Sequence, residues 1–94
     1  MDERSIQIWP AVSRRLGELL ADREVVIRVL EELRRCLREQ PAGFRANRDE
    51  VEPDFLFNVP IRLLLRGRWR VLRFSVNDTI SPDHFFVEAV SMSD

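Results

Sequence analysis

The chain contains no lysine and no tyrosine, and among its 94 residues there are only one cysteine, one histidine and three glycines. Each scarcity closes a chemical route. Cys36 alone cannot form an internal disulfide. Cys36 and His84 are the only good sulfur and nitrogen ligands, and no CxxC or HxxxH spacing accompanies them, so no metal site is expected. Gly17, Gly43 and Gly67 are scattered and build neither a GxGxxG nor a GKS/T phosphate loop, which argues against a nucleotide cofactor. No apolar run approaches the ~18 residues of a spanning helix. None forms a leader after Met1-Asp2-Glu3-Arg4 either, and a cytoplasmic protein without a membrane partner is the expectation.

What is present suits one compact unit over residues 1–94. With 45% hydrophobic and 33% charged residues the chain is too apolar for disorder and too charged for a bilayer. All fifteen basic residues are arginine. Codon bias in a GC-rich genome explains that count better than phosphate recognition does, since Arg14, Arg15, Arg34 and Arg35 sit where any solvated helix would carry lysine, so placement carries more information than number. Residues 1–54 have a net charge of −2, residues 55–76 hold five arginines and no acid, and residues 77–94 hold four acids and no arginine. A positive segment in a nearly neutral chain makes a local field for phosphate or an acidic partner. The acidic cluster Asp49, Glu50, Glu52 and Asp54 just before it is a competing, internal neutraliser.

Apolar spacing changes period along the chain. Ser5 to Trp9 alternates as a short strand and stops at Pro10. Val12, Leu16, Leu19 and Leu20 then form the stripe of a first helix reaching about Ala21. Asp22 suits the N-cap of a second helix, with Val26, Val29, Leu30, Leu33 and Leu37 on one face and Glu31 paired to Arg35; Pro41 and Gly43 end it. Without glycine or proline between them, the two could also be one kinked helix. Residues 41–54 read as loop, anchored by Phe44. From Phe55 to Leu65 the period is two, with Pro60 marking a bulge or edge. Arg66-Gly67-Arg68 supplies a turn, Trp69 to Val76 a second strand of the run, and Phe85 to about Val90 the last. The predicted fold is α+β: two N-terminal helices packed on an antiparallel sheet, in the order strand, helix, helix, strand, strand, strand.

The one constellation with chemical interest is the hairpin carrying Arg62, Arg66, Arg68, Arg70 and Arg73. Strand parity puts Arg70 at the end of the apolar row Leu72, Phe74, Val76, where it needs either a structural acid such as Asp54 or Glu52 or the phosphate or carboxylate of a ligand. Trp9, Trp69 and Phe86 can stack on bases, although aromatics on strands are more often core.

The stretch Ile61-Arg62-Leu63-Leu64-Leu65-Arg66-Gly67-Arg68-Trp69-Arg70-Val71-Leu72, within this element order, resembles the RelE/ParE superfamily of bacterial toxins from toxin–antitoxin modules. The resemblance implies a protein antitoxin as partner. Ribosome and mRNA, or a topoisomerase, are the targets it suggests. It matches Arg70 to an arginine that stabilises charge at the cleaved phosphate in ribosome-dependent RNases; His84, which the resemblance does not match, is this chain's own candidate for the titrating group of such an enzyme. Arg62, Arg66, Arg68 and Arg73 then bind nucleic acid or another anionic partner. This chain departs from that pattern: Val90-Ser91-Met92-Ser93-Asp94 brings no basic residue, tyrosine or histidine after the last strand. Arginine itself stays protonated and cannot act as a base. A binding role is therefore expected, with endoribonuclease activity, or an unrelated small α+β binding protein, as the alternatives.

Overall fold

The computed structural model describes residues 4–39, 43–44 and 56–93. Its elements are β1 (Ser5–Ile8), α1 (Pro10–Leu20), α2 (Arg23–Glu39), β2 (Leu56–Leu65), β3 (Arg68–Asn77) and β4 (His84–Ser93). The expected order is thus observed. Phe55 and most of the predicted 41–54 loop lie outside the described residues, but Phe44 packs against the core as its sequence context suggests.

Two helices form, not one kinked rod. Pro10 opens α1, where its missing N–H costs no hydrogen bond, and Ala21 closes it in a left-handed conformation with φ 52° while donating its N–H to Gly17 O at 3.0 Å. Asp22 then caps α2: Oδ1 accepts from the backbone N–H of Glu24 at 3.0 Å and of Val25 at 3.3 Å. Arg35 does not take Glu31 as its partner. It bonds Glu32 one turn back and Glu39 one turn on, the latter at 2.8 Å, so it bridges three turns of the exposed face.

The sheet order is β1-β4-β3-β2. β2, β3 and β4 form the antiparallel meander that short connections impose. β1 departs from the purely antiparallel expectation and pairs with β4 in parallel, Ser5 opposite His84 through Ile8 opposite Val87. A hairpin fixes strand direction, whereas a strand joined through two helices can be laid down either way, so the alternating pattern of β1 held no directional information. Between Ser75 and Val76 the β3–β4 register shifts: Ser75 faces Ala89 and Val76 faces Val87, which leaves Glu88 as the extra residue of a bulge. β4 runs to Ser93, three residues beyond its expected end.

Both helices cover one face of the sheet, α1 over β4 and α2 over β2. Val12, Leu16 and Leu20 of α1 and Val29, Leu33, Cys36 and Leu37 of α2 meet the inward rows Phe57-Val59-Ile61, Leu72-Phe74-Val76 and Phe85-Val87. Phe57 and Phe85 contact edge to face, with centroids 6.3 Å apart. Each fully buried phenylalanine contributes about 1.5–3 kcal/mol by leaving water, enough that a core this small depends on each of them. Cys36 is one of these core residues; burial pushes its thiol pKa up, and its Sγ lies 3.7 Å from Glu32 Oε1. Among the described residues no helix is long and apolar enough to cross a membrane.

Candidate functional site

The opposite face of the sheet is covered by no described element, and there the β2–β3 hairpin displays its charge. Leu65 pairs with Arg68, so the loop between the strands is the two residues Arg66 and Gly67. Both have positive φ, 53° and 78°, the geometry of the tight hairpin turn whose twist matches that of paired strands. Glycine adopts it without penalty. Arg66 does so at a cost, since its Cβ crowds the backbone in the left-handed region.

Strand register sorts the remaining arginines by face. Arg62 lies opposite Val71, Leu64 opposite Trp69 and Pro60 opposite Arg73, which places Arg62, Leu64, Trp69 and Arg73 together on the open side. All four are exposed, Trp69 by 62% and Leu64 by 59%. The expectation that strand aromatics are core fails here, because Trp69 has the opposite parity to Leu72 and Phe74. The Arg62 guanidinium carbon sits 5.5 Å from the Trp69 ring centroid, a cation–π distance. Arg68 is also exposed, at the hairpin tip, but shares the parity of Arg70 and Leu72 and so belongs to the opposite face.

Arg70 belongs to the other face. It pairs with Leu63, continues the inward row of Leu72 and Phe74, and is half-buried beside the helices. Its proposed acids Asp54 and Glu52 lie outside the described residues.

His84 starts β4 at the far end of the sheet, opposite Ser5. Its Nδ1 is 3.0 Å from Ser81 Oγ, which also accepts the Asp83 N–H at 3.2 Å, and its ring stacks on Phe86 at 5.5 Å. Those contacts secure the β3–β4 connection, whose other end is held by Asn77 Oδ1 accepting from the Thr79 N–H at 3.0 Å. Arg70 lies seven residues before Asn77 on β3, and His84 lies two residues beyond Phe86, the partner of Asn77. At ~3.3 Å per residue, close to 30 Å of strand separates them, and they face opposite sides. The fold therefore does not assemble the joint site read from the sequence for Arg70 and His84. It brings together Arg62 and Arg73 with Trp69, and sets Arg66 and Arg68 at the adjoining tip.

One site feature escaped the sequence reading. Glu88, the bulge residue, has its Oε2 buried without a hydrogen-bond partner, and the residue lines a hollow of about 280 Å³ together with Ala11, Val12 and Arg15. The only hint in the sequence was an acid within an otherwise apolar strand. Among the described residues no group of three or more histidine, cysteine or acidic side chains is placed to hold a metal ion.

Comparisons with family models, curated proteins and solved structures give no significant match to this chain.

Proposed function

We propose that this protein is a RelE/ParE-like component of a bacterial toxin–antitoxin module that acts by binding, with its basic β2–β3 hairpin as the contact surface for a macromolecular target and a protein antitoxin as its regulator. The observation that carries this reading is the exposed pair Arg62 and Arg73 beside Trp69 on the open face, with Arg66 in the adjoining turn and Arg68 at the hairpin tip on the opposite face, in a stretch from residue 56 to 76 that contains no acid. The element order of strand, two helices and a three-stranded meander supports the same assignment. Guanidinium groups on an exposed sheet face fork onto phosphate or carboxylate oxygens, and a flat aromatic among them adds contact area at little entropic cost. Binding is preferred over RNA cleavage because the one histidine is remote from Arg70 and serves the β3–β4 connection.

The test is controlled expression in a bacterial host, with and without the product of the adjacent open reading frame. Growth arrest relieved by the neighbouring product is expected. Unimpaired growth at high levels of folded protein contradicts the proposal.

A further inference from the structure

β1 covers the edge of β4 only from His84 to Val87; after Trp9 donates its N–H to Val87 O at 3.1 Å the chain turns into α1. From Glu88 to Ser93, β4 has β3 on one side and, among the described residues, no strand on the other. Exposed edges are normally blunted by charge or proline. The other edge strand of the described sheet, β2, is interrupted by Pro60, which has no N–H to offer, and bears Arg62. By contrast Ala89-Val90-Ser91-Met92-Ser93 contains neither proline nor charge.

At the start of this open stretch lies the buried, unpartnered Oε2 of Glu88. Arg15 lines the same hollow but bonds Glu18, at 3.4 Å. A buried carboxylate oxygen without a donor is costly and calls for a cation. A second copy of the chain does not provide one: antiparallel pairing of two such edges brings glutamate against serine.

We propose that the β4 edge over Glu88–Ser93 binds an extended peptide segment of another protein, which adds as a strand and directs an arginine or lysine to the Glu88 carboxylate. Main-chain hydrogen bonds along the edge give affinity, and the charge pair in the hollow fixes register and selects a basic segment. The surface is of opposite charge preference to the arginine hairpin and does not depend on the toxin-like reading.

The test is an NMR titration of the isotope-labelled full chain with the synthetic peptide acetyl-Thr-Val-Arg-Val-Thr-Val-amide. Amide shifts centred on Ala89 to Ser93 are expected. Replacing the peptide arginine by the neutral isostere citrulline should weaken binding about tenfold or more, the scale of losing one partner of a buried charge pair. N-methylation of alternate peptide amides should abolish binding. Glu88→Gln should remove the preference for arginine over citrulline, while Arg62→Glu leaves it intact. The proposal is overturned by equal affinity for the two peptides, by binding that survives N-methylation, by shifts centred elsewhere, by no shift at millimolar peptide, or by self-association through β4. The peptide comparisons on the unaltered protein decide the matter even where Glu88→Gln does not fold.

Discussion

The Arg62 guanidinium lies over the Trp69 ring, reaching diagonally from β2 to β3 with its carbon 5.5 Å from the ring centroid. Exposed cation–π contacts are worth only about 0.5–1 kcal/mol, so this one orients the two side chains more than it stabilises the fold. A partner that docks on the open face must cover the indole. Binding of the target should therefore change the fluorescence of Trp69, and Trp69→Phe should abolish the change while Trp9→Phe preserves it. An equal contribution from Trp9, which lies between β1 and α1, would place the contact surface elsewhere.

Arg66 occupies a left-handed turn position that asparagine or glycine fills more readily. Arg66→Asn should raise stability by roughly 0.5–1 kcal/mol in denaturant unfolding while weakening target binding. Opposite signs in the two measurements would show that the arginine is kept for contact at the expense of the turn. Loss of stability together with unchanged binding would assign it a structural role.

Acid should weaken the fold through α2. The Arg35 side chain, bonded to Glu32, holds the Glu32 carboxyl below its ordinary range. A carboxylate whose pKa is lower folded than unfolded adds stability above its unfolded value and loses it as pH falls through the folded one. Both side chains are about half exposed, so solvent screens the pair and the effect is small. Glu32→Gln should lower the urea midpoint at neutral pH and converge with the unaltered protein in acid. Parallel curves at every pH would exclude this linkage.

Much of the fold was legible because the chain keeps its two periods cleanly. The stripe Val29, Leu33, Leu37 and the row Leu72, Phe74, Val76 each point one way, and Asp22 announces a cap that the backbone uses. The direction of β1 was not legible, since no short turn ties it to β4. Nor was the bulge at Glu88, which depends on pairing between strands and not on either strand alone. Of the candidate site, the parity that separated Arg70 from Trp69 could be read from position. The distance from Arg70 to His84 could not, because it depends on how β4 lies against β3.

That separation bears directly on catalysis. Purified protein, alone or with ribosomes, is expected to cleave RNA weakly or not at all, since lost proton transfer typically forfeits about 10² to 10⁴ in rate. Any residual cleavage should respond differently to Arg70→Ala and His84→Ala. Robust cleavage abolished equally by both would mean that the two ends of the sheet meet in a form of the protein other than this one.

The most direct measurement is growth arrest by charge-reversed variants expressed to matched folded levels. Arg62→Glu combined with Arg73→Glu reverses the open face, and Arg14→Glu combined with Arg15→Glu makes the same change in charge on exposed positions of α1. The hairpin variant should lose arrest, and the helix variant should retain it. Arrest that persists in the hairpin variant, or is lost equally in both, would contradict the assignment of function to the β2–β3 surface.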